Sequence, residues 1–346
     1  MEFEHVVIDG EPAGTENDVC LIVDVNGDGR NDVIIGGKEG EDNIVWYEYP
    51  EWKRHTIGTA RFEAGGVTLD ITGNGRPDLV AGSDWGHKEL WWFENPGDPF
   101  ENWPMRLIED GLWKYHDQAV GDVDGDGEDE IVVLSQQSEL VVYYDIPEDP
   151  TVSPWPKTCP HTISEGLEVE GVALVDLDGD GELEVVAGPY WFKREGSDWV
   201  RHPIAPDFVL TCVAVGDLDG DGRAEVVLSE GESDPARLAW FSNFPDWEMH
   251  LLHEELFHPH SLQVADMNGD GLPDIFVAEM GLGSNPDPEM LIYLNRGDGN
   301  FEKVLVDDEH PTHHAKVGII GDADLPSIVG KPYHPQSRVE LWLNRG

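Results

Sequence analysis

The sequence predicts an all-β chain: a seven-bladed β-propeller of four-stranded antiparallel blades, its ring closed by the N-terminal strand. Three observations predict it. An acidic, glycine-punctuated phrase recurs from Asp24, Asp70, Asp122, Asp176, Asp217 and Asp266, and an eroded copy starts at Asp322. The starts lie about 50 residues apart, too long for a leucine-rich or helical solenoid unit and suited to a four-stranded blade. The segments between are short, apolar and β-rich, with no long amphipathic helical period. The two chain ends carry complementary parts of one repeat.

Each element follows from this phrase. The apolar run before it is strand A and the run after it, such as Val33-Ile34-Ile35, is strand B. Strand C is aromatic: Ile44-Val45-Trp46-Tyr47, Leu90-Trp91-Trp92-Phe93, Leu140-Val141-Val142-Tyr143, and so on to Val339-Glu340-Leu341-Trp342. Strand D is looser, an aromatic followed by basic and apolar alternation, as in Trp52-Lys53-Arg54-His55-Thr56-Ile57. Phe3-Glu4-His5-Val6-Val7-Ile8 reads as a strand D with no A, B or C before it. The last repeat stops at Arg345-Gly346 without a D. The first strand therefore completes the last blade, and residues 1–346 are expected to form one propeller domain without a long free edge. An open solenoid would instead need capping repeats.

The phrase has its own chemistry. Carboxylates at positions 1, 3, 5 and 9 of a tight loop direct several oxygens at one point, and glycines at 4 and 6 allow the turn. Oxygen donors in that number suit calcium better than softer metals. Three loops are complete: Asp122, Asp124, Asp126 and Glu130; Asp176, Asp178, Asp180 and Glu184; Asp217, Asp219, Asp221 and Glu225. Two carry Asn at position 3: Asp24, Asn26, Asp28 and Asp32; Asp266, Asn268, Asp270 and Asp274. The second keeps Asp70 and Asp78 but has Thr72 and Asn74 between them, and the seventh has lost the cage. About five to six structural calcium sites are expected. Metal-free Asp/Gly turns are the plain alternative, but packing three or four carboxylates together without a cation is repulsive.

These loops resemble the FG-GAP/VCBS-type propeller repeats, and the resemblance covers essentially the whole chain. It implies the propeller and calcium between the inner strands of each blade. That family includes adhesion heads, lectin-like modules, polysaccharide lyases and an aldos-2-ulose dehydratase, so the fold leaves function open.

Composition narrows the partners. Asp+Glu 71 against Lys+Arg 21 gives a formal charge of −50, which repels phosphate backbones and argues against nucleic acid and anionic membrane. Calcium would offset only a minor part of it, and the excess reads as adaptation to high salt. No apolar run is long enough to span a bilayer. Met1-Glu2-Phe3-Glu4-His5 lacks the features of a signal peptide, and three widely spaced cysteines make no disulfide framework. A cytoplasmic location is expected, with an extracellular one as the alternative. Oligomeric state is not legible.

Because the loops join A to B on one face, strand A starts and strand B ends share the other, near the axis, where propellers commonly bind ligands. Six residues before each loop Asp stand Asp18, Ala64, His116, Glu170, Thr211, His260 and Lys316. Beyond strand B come Lys38, Asp84-Trp85, Gln136-Gln137, Pro189-Tyr190, Glu230, Glu279 and Lys331-Pro332-Tyr333-His334. Histidine, tyrosine and lysine can move a carbon-bound proton near neutral pH when tuned, and nearby cations stabilise the resulting enolate. The expectation is a carbohydrate-active lyase or sugar dehydratase working by β-elimination on a uronate or keto-sugar. His116, His260, Lys316 and Tyr333 are its candidate catalytic residues. Trp85, Glu170, Tyr190, Glu230, Glu279, His314 and Lys331 are its candidate substrate contacts. A non-catalytic glycan- or protein-binding propeller is the alternative. No nucleophile elbow, phosphate loop or zincin helix is present.

Overall fold

The computed structural model describes residues 1–333 and 336–346. Its strands form seven four-stranded antiparallel sheets, each running A-B-C-D outward from the axis. The inner strands are Thr15–Val23, Val67–Leu69, Tyr115–Gly121, Val172–Val175, Thr211–Gly216, Ser261–Ala265 and Lys316–Gly318. Those of neighbouring blades lie side by side round the ring, and a parallel bridge from Val19 to Gly65 links blades 1 and 2. Ring closure is as expected. Phe3–Asp9 pairs with Val339–Asn344, His5 opposite Trp342, and becomes the outermost strand of blade 7.

Strand B is buried along its whole length in most blades, as in Glu130–Ser135 and Glu225–Glu230, because blades cover both its faces. The apolar clusters accordingly straddle adjacent blades. One joins Val80 and Trp92 of blade 2 to Tyr115 and Val133 of blade 3, and another joins Cys20 and Ile35 of blade 1 to Val329 and Leu341 of blade 7. A polar clamp repeats above them. Asn95, Asn295 and Asn344, ending strand C or just beyond it, donate to Val25, Leu218 and Met267 carbonyls in the preceding blade's acidic loop, at 3.0, 2.8 and 2.7 Å. The loops are therefore tied to the joints between blades.

Candidate functional site

The two faces are built differently. On the loop face, the first carboxylate of each intact loop accepts backbone N–H groups from positions 4 and 6. Asp24 takes Gly27 at 2.6 Å and Gly29 at 2.8 Å, and Asp122 takes Gly125 at 2.7 Å and Gly127 at 3.0 Å. Both glycines sit at positive φ (71° and 88° in the first loop), where a side chain would be strained. The position-9 carboxylate accepts the N–H of position 2 throughout, as in Glu130 to Val123 at 2.9 Å.

Position 9 then divides the loops. As aspartate it is too short to do more than bridge backbone. Asp32, Asp78 and Asp274 give their second oxygen to Tyr49, Asn95 and Asn295 N–H, at 2.9, 2.7 and 2.8 Å. As glutamate, the extra methylene returns an oxygen to the cage. Glu130 gathers with Asp122 and Asp124, and Glu184 with Asp176 and Asp178. In the fourth loop the Lys193 ammonium sits where a cation would, against Asp178, 2.7 Å from Asp180 and 3.1 Å from Glu184. Burial, reinforced by neighbouring loop carboxylates, pushes Glu130 and Glu225 up to about 7. A cation would relieve that repulsion, so these donor sets fit calcium. The second loop fits poorly: Asn74 donates to the Asn95 carbonyl at 2.9 Å and accepts Arg76 N–H at 2.9 Å.

The opposite face carries a buried ionisable cluster around the axis. His116, Glu170 and His260, from blades 3, 4 and 6, converge with His314 of blade 7, and all four are buried. His116 Nδ1 lies 2.7 Å from Asp117 Oδ2, which also accepts Gly171 N–H at 2.8 Å. His116 Nε2 is 3.3 Å from Glu170 Oε1, and His260 Nε2 is 3.5 Å from Glu170 Oε2 and 3.3 Å from Glu232 Oε1. Gln136 donates to Glu170 at 2.6 Å. The His260 and His314 rings are 4.5 Å apart and the His260 and His313 rings 4.8 Å.

Beside this cluster, His313 Nδ1 lies 3.1 Å from Asp18, which Lys38 approaches to 2.7 Å, and Tyr333 meets the His313 ring edge-on at 4.9 Å. A cavity of about 90 Å³ opens against His116, Glu170, His260, His314 and Lys316. Lys316 has no carboxylate within ion-pairing distance among the described residues, unlike Lys38.

Electrostatics separate these groups. Burial opposes charge on Glu170, yet His116 and His260 hold it well below the usual carboxylate range. Burial also opposes charge on His116, but Glu170 and Asp117 raise its basicity. Desolvation lowers His313 to about 3 despite Asp18, and lowers His314 too, with the other imidazoles adding to the effect. Lys331, fully buried, donates to the His313 carbonyl at 2.6 Å, and burial lowers it to about 8.

Counting back from the loops thus brings together His116, Glu170 and His260, with Asp18 and Lys316 alongside. Other candidates lie elsewhere. Glu230 is taken up by Arg237 at 2.8 Å, and Glu279 anchors a loop through Phe257, Asn285 and Glu289. Trp85 is an exposed rim residue with Lys114 over its ring, and Tyr190 lines a separate groove with Pro189 and Phe208. His334 lies outside the described residues. Glu232 was missed: it sits in the turn after strand B, where no register points inward. Lys114, 3.9 Å from Glu63, was missed likewise.

FG-GAP-like repeats match residues 24–81, 70–133, 122–187, 217–277 and 266–325, most of the chain. Comparison with curated proteins gave no match. Among solved structures, BBS1N in complex with ARL6DN is similar at a TM-score of 0.63 and 12% identity, covering 99% of this chain and 96% of that one. Rhamnogalacturonan lyase YesW is similar at 0.56 and 13%, covering 99% and 76%. The exotype rhamnogalacturonan lyase YesX is similar at 0.54 and 12%, covering 98% and 75%. At such identities the likeness is one of fold.

Proposed function

The chain belongs to the FG-GAP-like repeat family, and from that premise we propose a carbohydrate-active carbon–oxygen lyase working by β-elimination at the axial cluster. The observation that carries this reading is the convergence of His116, His260 and His314 on a small cavity that is also lined by Lys316, which has no ion-pair partner among the described residues. About 90 Å³ is room for a substituent, not a sugar ring. The group that enters is a carboxylate or carbonyl, with the ring left in the channel above. Two propellers of the same fold are named rhamnogalacturonan lyases, so the architecture accommodates such chemistry.

In the elimination, a base takes the proton α to that group. The C–H electron pair forms the new double bond, the β C–O bond breaks, and the leaving oxygen takes up a proton. Negative charge builds on the carboxylate or carbonyl oxygen, where Lys316 and the histidine cluster receive it. His116 and His260 are engaged by carboxylates, an arrangement that suits charge stabilisation better than free proton abstraction. Proton transfer falls to Tyr333, whose phenol stands beside the His313 ring at the edge of the cluster. Calcium in the loops, held above all by the third, fourth and fifth, fixes the blades beneath this site.

The test is incubation with a panel of uronate polymers and keto-sugars, followed by the ultraviolet absorbance of unsaturated uronate or enone. A new chromophore that disappears in His260→Ala supports the reading. Glycan binding with no chromophore across the panel replaces it with a binding module.

A further inference from the structure

We infer that His116, His260 and His314 form a binding site for one divalent transition-metal ion, distinct from the loop sites, with Glu170 beside it as a fourth donor. The ligating atoms of the three histidines lie within 4.8 Å of one another, on side chains from three different blades. All three are buried, at 3%, 1% and 7% exposure. Small rotations bring three imidazoles at that spacing onto one ion.

The hydrogen bonding points the same way. His260 Nε2 and Glu170 Oε2 face each other only at ion-pair distance, 3.5 Å, and among the described residues neither Nδ1 of His260 nor Nε2 of His314 has a hydrogen-bond partner, although all are shielded from solvent. Buried polar atoms are rarely left so, and an ion in the cluster would satisfy one nitrogen of each of these imidazoles together with the Glu170 oxygen. His116 is already oriented: Asp117, 2.7 Å from Nδ1 and fixed by Gly171 N–H, leaves Nε2 facing the cluster. A carboxylate behind a ligating imidazole is the usual outer support of a metal site. Imidazoles with one carboxylate select zinc, manganese, iron, cobalt or nickel over calcium, which prefers an all-oxygen shell. The loops and this cluster thus sort two classes of cation within one chain.

Binding at this site follows from geometry alone. Its role, drawing the charge of the enolate onto the ion, rests on the elimination reading. Replacing protons on the cluster by a metal supplies the same positive charge and fixes it in place.

The experiment titrates calcium-saturated protein with Co²⁺ and follows the visible bands of imidazole-bound cobalt. One equivalent per chain is expected, displaced by Zn²⁺ and not by Ca²⁺. Affinity is expected to fall at least about 100-fold in His314→Ala and His260→Ala. His310→Ala serves as the control, because His5, His310 and Glu340 form a second, more exposed cluster at the closing strand. Binding unchanged in His314→Ala, or lost in His310→Ala, overturns the inference. If the axial variants do not fold, Cu²⁺ paramagnetic resonance of the unaltered protein decides. Coupling to several imidazole nitrogens supports the site, and its absence refutes it. Metal binding without elimination activity upholds the site and sinks the lyase reading. Full elimination by protein holding calcium alone upholds the lyase reading and overturns the ion's role in it.

Discussion

The loop face and the axial face are made by the two ends of the same strands, yet they use sequence in opposite ways. On the loop face one solution is repeated: a first carboxylate folded over two glycine N–H groups and a ninth bonded to the second residue's N–H. On the axial face, one register position holds Asp18, Ala64, His116, Glu170, Thr211, His260 and Lys316, with no residue but histidine repeated. The difference separates what a blade needs from what a site needs. Every blade must turn between its inner strands, so the turn recurs. A site on the axis is assembled once, from one contribution per blade, so it shows as departure from repetition.

The largest effect expected from breaking this comparison is on the loop face. Chelating calcium should lower the melting temperature by about 10 °C or more, since each saturated site adds about 2.7 kcal/mol at a hundred times its Kd. A calorimetric scan with and without chelator reads it, and an unchanged transition means that the loops hold no metal. On the axial face the expected damage is to turnover. His116→Ala and His260→Ala should each lower the elimination rate about 10²-fold or more, with the melting temperature shifting by a few degrees at most. Full activity in both variants would mean that the site is misplaced.

A smaller effect separates one loop from another. Asp178→Ala removes a carboxylate from a complete cage and should abolish that loop's share of calcium stabilisation, about 2.7 kcal/mol. Asn74→Ala, in the loop whose amide is spent on Asn95 and Arg76, should cost about 1 kcal/mol with or without calcium. Equal calcium dependence in the two variants would show that the second loop also binds. The smallest effect concerns charge. With calcium saturating, molar KCl should raise the melting temperature by a few degrees, because screening weakens repulsion among the excess carboxylates. A flat response would remove the high-salt reading.

What the residues disclose in advance follows the same division. The blades are legible because a strand-turn-strand unit is local, so its glycines and carboxylates stand at fixed offsets. Even the axial register can be counted, since the six residues from loop to channel are one strand long; His116, Glu170 and His260 were found this way. Glu232 was not, because a turn of variable length carries it inward. Glu230 and Glu279 show the converse. Glu230 ends strand B and Glu279 stands just past it, where the register is expected to point inward, but Arg237 and the Asn285–Glu289 loop claim them, and nothing local in the sequence announces such partners. The ninth loop position was legible as an oxygen donor. That one methylene decides whether the oxygen faces the cage or the backbone emerges only when strand C is in place.

The central claim is that the histidine cluster on the axis is a site of elimination. Its most direct test compares unaltered protein with His260→Ala on uronate polymers and keto-sugars, both calcium-saturated and supplied with Zn²⁺ or Mn²⁺. The account predicts an unsaturated product from the unaltered protein and about 10²-fold less from the variant at equal folded fraction. Equal product from the two, or glycan bound by both with none formed, would contradict it.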